Sequence, residues 1–234
     1  MIAPIYHLKR QARLLSRKEK IPLHQALDRV AAREGFASWS LLAAKAAETT
    51  AAGRLFSRLM PGDLVLVGAR PGHGKTLMSL ELAVEAMKRG HRSVFFSLEY
   101  THRDVLDRFR AIGADPAQFD RLFASDTSEA ISADYIVEVL GSVARGTLAV
   151  IDYLQLLDQK RDNPELMDQV RTLKAFARDR GVILVFISQI DRSYDPSTKP
   201  FPDISDVRLP NPLDLSLFSK ACFLNKGAIR FQPA

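Results

Sequence analysis

The sequence predicts an α/β fold: a mostly parallel sheet with helices on both faces, preceded by a small helical segment. Three observations predict it. From residue 61 onward, short apolar runs alternate with longer segments of helical periodicity, the pattern of successive strand–crossover–strand units. The apolar runs lack a polar face, as do strands covered on both sides. The excess charge is confined to one end. Residues 1–54 carry ten Lys/Arg against four Asp/Glu, whereas the remaining residues hold 23 of each, so the whole net charge of +6 sits in the first quarter.

That division limits the function classes. A basic appendage on a neutral body suits nucleic acid or an acidic partner, or is simply a solvated helical face. No apolar run approaches the roughly 18 residues of a membrane-spanning helix, so no membrane partner is expected. The basic N-terminus has no apolar run behind it, so a secretory signal is not expected either. The one cysteine, Cys222, excludes an intramolecular disulfide and an all-cysteine zinc site. The cytoplasm is the expected compartment.

The elements follow in order. Ile5, Leu8, Ala12 and Leu15 recur at helical spacing with basic residues between them. Pro22 stands where a second helix starts, with Leu23, Leu27, Val30 and Ala31 as its apolar stripe and Gly35 as its stop. Ser38 is placed to cap a third helix carrying Trp39, Leu42 and Ala46. Residues 1–48 therefore read as a basic segment of two or three short helices, 49–54 as a linker, and 55–234 as the main domain. Strands are predicted at Leu64–Val67, Val94–Phe96, Leu148–Ile151, Val182–Ile187 and Ala221–Leu224. Helices are predicted at Leu77–Lys88, Arg103–Ile112, Ala133–Val143 and Pro164–Arg180. Residues 190–216 hold five of the twelve prolines and no periodic pattern, so they read as a long loop.

The strongest motif lies between the first strand and its helix. Gly68-Ala69-Arg70-Pro71-Gly72-His73-Gly74-Lys75-Thr76 puts glycine-rich backbone after a buried strand and before an amphipathic helix. Such backbone curls its N–H groups around phosphate oxygens, and the helix N-terminus adds its positive dipole. Lys75 reaches the β and γ phosphates, and the Thr76 hydroxyl is offered to Mg2+. The nucleotide-binding candidates are Ala69, Arg70, Pro71, Gly72, His73, Gly74, Lys75, Thr76 and Leu77. One departure from the strict pattern is Ala69, which stands where a glycine is expected; Gly68 comes one position early.

Hydrolysis needs a carboxylate near the metal and a group that orients or deprotonates water. Three further strands end in suitable residues. Thr147–Ile151 ends in Asp152, the candidate metal-side carboxylate, acting through water. Ser93–Leu98 ends in Glu99, the candidate base. Val182–Ile187 ends in Ser188-Gln189, and Gln189 can both donate to and accept from a γ-phosphate or water. In a parallel sheet these strand ends share one edge with the phosphate loop. The catalytic candidates are Lys75, Glu99, Asp152 and Gln189, and the expected cofactors are ATP and Mg2+.

These residues resemble a known family. Leu59-Met60-Pro61-Gly62-Asp63 through Thr76, Ser97-Leu98-Glu99, Val150-Ile151-Asp152-Tyr153-Leu154-Gln155-Leu156, Ile187-Ser188-Gln189 with Arg192, and Ser205-Asp206-Val207-Arg208 look like the RecA-type ATPase domain of replicative DnaB-type helicases. The resemblance covers about residues 55–208. It implies a RecA-like P-loop NTPase fold. It also implies that Glu99, Asp152 and Gln189 serve as base, metal-side carboxylate and γ-phosphate sensor, with Arg192 joining the nucleotide set. A hexameric, Mg-ATP-driven motor on single-stranded DNA would be the whole.

The chain departs from the family pattern in three places. A short basic helical segment stands where the helicases carry a primase-interacting domain. After Arg208 the chain reads Leu209-Pro210-Asn211-Pro212 instead of Glu-Ser-Gly. The tail, which in the family supplies a basic finger to the neighbouring subunit, shrinks to Ala221–Phe231, a hairpin turning at Asn225-Lys226-Gly227. Lys226 and Arg230 are the candidate replacements for that finger, whose loss slows phosphoryl transfer by about 10³–10⁵. A second reading therefore stands beside the motor: an ATP-dependent switch with little hydrolysis, whose N-terminal segment recognises a protein partner. Lys160, Arg161, Arg171, Lys174, Arg178 and Arg180 either line DNA phosphates or form the solvent face of one helix.

Overall fold

The computed structural model describes residues 5–119, 121–158, 163–209, 211–225 and 228–233. Two compact units result, Met1–Ser57 and Arg58–Ala234.

The first unit is helical: α1 Ile5–Glu19, α2 Leu23–Arg33, α3 Trp39–Thr49 and α4 Ala51–Phe56. Its apolar stripes meet in a core of Leu8, Ala12, Ala26, Val30, Ala31 and Leu42. The α3 start is held twice. The Trp39 N–H donates to Asp28 Oδ1 at 2.8 Å, and the Leu41 N–H donates to Ser38 Oγ at 3.4 Å. The linker expected at 49–54 is instead mostly helix. Thr50 caps α4 by accepting from the Gly53 N–H at 2.9 Å, and Ala52, Gly53, Leu55 and Phe56 are buried. Side-chain capping and burial outweigh the poor helix propensity of Gly53.

The second unit is one seven-stranded sheet: β1 Leu64–Ala69, β2 Ser93–Ser97, β3 Phe123–Asp126, β4 Leu148–Asp152, β5 Ile183–Gln189, β6 Lys220–Asn225 and β7 Ala228–Pro233. The spatial order is β3-β2-β4-β5-β1-β6-β7, and every pairing is parallel except β6 with β7. The hairpin of β6 and β7 pairs Asn225 with Ala228; Lys226 and Gly227 lie outside the described residues. β3 went unpredicted because Phe-Ala-Ser-Asp is short and only half-buried, so it shows no apolar run.

Four helices cover the sheet: α5 Lys75–Lys88, α6 His102–Ala111, α7 Ala133–Leu140 and α8 Leu166–Arg180. Strand residues alternate between faces. Leu64, Leu66, Ala149, Ile151, Leu184 and Phe186 share one core with α7 and α8. The alternate residues Val65, Val67, Val150 and Val185 are equally buried, on the face along which α5 packs. Among the described residues no helix is long and apolar enough to cross a membrane.

The segment after β5 is a built loop rather than a featureless one. Ile190 bridges Val207 in antiparallel fashion, the Asp191 N–H donates to the Asp206 carbonyl at 2.7 Å, and the Arg208 N–H donates to the Gln189 carbonyl at 2.8 Å. Within it, Lys199 pairs with Asp203 at 2.7 Å and Asp206 at 2.5 Å, and the buried Tyr194 donates its hydroxyl to the Lys199 carbonyl at 2.7 Å. Lys199 holds the Asp203 carboxyl down at about 2. These ties run between side chains and backbone, so no hydrophobic periodicity announces them.

Gly68 has a packing role. A Cβ there would stand 2.8 Å from the ring of Phe223 and 3.1 Å from Ile190 Cδ1. Phe223 is fully buried and has nowhere to retreat. Gly68→Ala is expected to destabilise the chain by about 1–3 kcal/mol through overpacking. Urea denaturation measures it; an unchanged midpoint would mean that the ring repacks freely.

Candidate active site

The sheet register fixes the site before any side chain is considered. Ala69 lies opposite Gln189, and Asp152 lies opposite Ser97 on one side and Ile187 on the other. Because β5 separates β1 from β4, the loop after β1 and the carboxylate ending β4 flank the end of β5. Two residues beyond Ser97 comes Glu99, whose N–H donates to Ser97 Oγ at 3.1 Å. The edge thus carries Glu99, Asp152, Gln189 and the phosphate loop in one row.

Residues 70–74 form the loop itself. Gly72 (φ 77°) and Gly74 (φ 85°) both adopt the left-handed backbone that favours glycine. The His73 N–H donates to the Arg70 carbonyl at 3.1 Å, and α5 begins when the Met78 N–H donates to the Gly74 carbonyl at 2.9 Å. No side chain caps α5, and its first turn holds no acidic residue. Its first N–H groups, those of Lys75, Thr76 and Leu77, thus have no internal anion. Leu77 is exposed, so its backbone is what it brings to the loop. Pro71 is exposed, and Ala69 is fully buried at the end of β1.

Asp152 is the site's electrostatic centre. It is fully buried, and neither carboxylate oxygen has a hydrogen-bond partner of sound geometry. Its pKa is pushed up to about 7, first by burial and then by the nearby Glu99 carboxylate; Lys75, the Thr76 hydroxyl and Arg108 pull it partly back. These opposing influences place Glu99, Lys75 and Thr76 around one carboxylate. Such a group suits a divalent cation: hard oxygen donors, a hydroxyl beside them, and two oxygens left without partners. Among the described residues no cluster of three or more His, Cys, Asp or Glu forms a metal cage. Magnesium held here would therefore draw its remaining ligands from phosphate oxygens and water, as it commonly does.

Arg108 was invisible in the sequence. It lies within α6 beside Arg103 and Arg110 and shares their residue type. Its guanidinium stacks 4.0 Å over the Tyr100 ring, next to Glu99, and its charge reaches Asp152. A cation eight residues beyond an unremarkable tyrosine carries no motif, so only the fold could reveal it.

Gln189 is half-buried and opens onto a cavity of about 220 Å3 shared with Tyr153, Gln155 and Arg208. Gln155 donates from Nε2 to the Arg208 carbonyl at 2.9 Å, while its own Oε1 is buried without a partner. Arg192 is exposed on the loop after β5, and its side chain makes no hydrogen bond or ion pair among the described residues. Arg70 lies near enough to that loop for its charge to be felt by Tyr194 and Asp195.

The basic residues of α8 do not gather at this edge. Arg178 and Arg180 close α8 just before β5 begins, at the opposite end of the sheet from Gln189. Arg171 pairs with Asp168 at 3.3 Å, and Arg180 donates to the Gly141 carbonyl. Lys160 and Arg161 lie outside the described residues. Of the finger candidates, Arg230 is exposed on β7, opposite Phe223, and Lys226 is outside the described residues.

The chain is similar to the replicative DNA helicase DnaB of Synechocystis, 29% identical over 181 residues, spanning 64% of this chain and 21% of that protein. DnaB of Geobacillus stearothermophilus is 28% identical, with 66% of this chain and 41% of the relative covered. The chain thus spans about two-fifths of such relatives, or less. The solved structure of a DnaB-like replicative helicase, described with its interactions with primase, superposes with a TM-score of 0.58 at 20% identity over 70% of this chain and 47% of the other. That likeness concerns the fold, which is RecA-like. Residues 54–205, more than half of the chain, match the family model described as the KaiC ATPase, and the chain belongs to that family of RecA-like ATPase domains.

Proposed function

We propose that this chain binds Mg-ATP on the loop 70–76 and hydrolyses it in a reaction coupled to DNA. The observation that carries the reading is the buried Asp152 carboxylate with two unpartnered oxygens, placed beside Thr76 and Lys75 at the mouth of an uncapped helix. Lys75 and the N–H groups of residues 74–77 hold the β and γ phosphates. Thr76 and Asp152 hold the magnesium, the latter through water. Bound there, the ion supplies charge neutralisation for the phosphates. Glu99 takes a proton from a water that attacks the γ-phosphorus. The bond to the β-phosphate oxygen breaks, and ADP and phosphate leave. Gln189 contacts the γ-phosphate or the attacking water from the end of β5.

Coupling to DNA and assembly into a ring are supported by the likeness to the DnaB helicases. In a second reading the chain holds ATP as a switch and turns it over slowly. ATP hydrolysis by the purified chain, with and without single-stranded DNA, separates the two. In the motor reading turnover rises with DNA and falls at least about 10²-fold in Lys75→Ala. Stabilisation by Mg-ATP without turnover in either condition would overturn the motor and leave the switch. Neither stabilisation nor turnover would overturn both.

A further inference from the structure

The helical unit carries the whole net charge of the chain, and the structure shows where that charge stands. Arg10, Arg13, Arg17 and Lys18 are all exposed on α1. Arg10, Arg13 and Arg17 recur at spacings of three and four residues, which places them along one side of the helix over about 10 Å. The opposite side of α1 is committed, because Leu8 and Ala12 are fully buried in the core with α2 and α3 residues. Among the described residues none of these four cations makes an ion pair or hydrogen bond. Two acids of the unit are engaged elsewhere: Glu19 pairs with Arg29, and Asp28 accepts from the Trp39 N–H.

We infer that the outward face of α1 is a contact surface for the phosphate backbone of a nucleic acid, held by charge rather than by base recognition. Three observations select that partner. An arginine-rich row matches phosphate, which guanidinium forks bind in bidentate geometry. A membrane-surface helix needs its apolar side for lipid, and here that side is buried in the unit's own core. A protein interface has an apolar centre with charges at its rim. This face has too little apolar surface for such a centre: a single exposed apolar side chain, Leu14, stands among the arginines of α1. The inference needs no nucleotide, so it stands apart from the ATPase reading.

The test uses the full chain without ATP. Binding of a fluorescent oligonucleotide, single-stranded and as a duplex, is followed by anisotropy from about 50 to 200 mM salt. The parent is compared with Arg10→Ala/Arg13→Ala/Arg17→Ala, whose substitutions are exposed; single Arg10→Ala and Arg17→Ala variants serve if the triple variant melts early. Binding should weaken at least about tenfold in the triple variant, and the slope of log affinity against log salt should fall by about 2–3 for the duplex. An unchanged affinity and slope would overturn the inference. So would a parent that ignores both oligonucleotides but binds polyglutamate or anionic phospholipid vesicles, since the face would then serve an acidic protein or a membrane.

Discussion

Glu99→Gln is expected to lower ATP hydrolysis by about 10²–10⁴-fold while Mg-ATP binding stays within a few-fold of the parent. The substitution keeps the size and polarity of the side chain and removes its ability to accept a proton. Glu99 is exposed at the sheet edge, where water reaches it, and its charge is felt by the buried Asp152. A group needed only when water attacks affects the chemical step and spares the ground state. Single-turnover hydrolysis beside nucleotide binding by fluorescence gives the comparison. Equal rates in parent and variant would remove Glu99 from the mechanism and turn attention to Gln189.

The second large effect concerns Asp152, and it runs against intuition: Asp152→Asn should inactivate the site and make the nucleotide-free chain more stable at alkaline pH. Burial and the Glu99 carboxylate push the carboxyl up to about 7 in the fold, against an ordinary value of 3.8. Between those values the folded state binds more protons than the unfolded one, so the group's contribution to stability falls as pH rises from about 4 to 7 and is level above that. The loss is on the order of 2–4 kcal/mol. Chemical denaturation at pH 5 and pH 8 should show the parent losing stability across this interval and the asparagine variant holding level. An equally steep loss in the variant would place the titrating group elsewhere.

Most of the phosphate-loop side of the site was legible in the sequence for a physical reason. Left-handed backbone at Gly72 and Gly74 demands glycine, and a buried strand must be apolar, so both leave marks in residue type. Asp152, Glu99 and Gln189 could be read because each closes an apolar run, and parallel pairing brings such ends to one edge. What escaped notice depends on contacts that leave no such mark. Arg108 matters through its stacking on Tyr100. The role of Gly68 appears only when Phe223 of β6 is seen against it. Thr49 through Arg54 looked like a linker because small residues suit linkers, yet a threonine cap and burial made most of that stretch a helix.

The closure of the loop after β5 has a consequence for how the chain can vary. Its two feet are fastened by the Ile190–Val207 bridge and by the Arg208 N–H on the Gln189 carbonyl. Between them, the exposed tip around residues 195–198 is a bight of chain whose length is decoupled from the row of reacting groups. Residues can be added, removed or exchanged at its tip without dragging Gln189 out of line, since added loop length costs little once the ends are fixed. The loop is thus the natural place for relatives sharing this chemistry to diverge in what they engage.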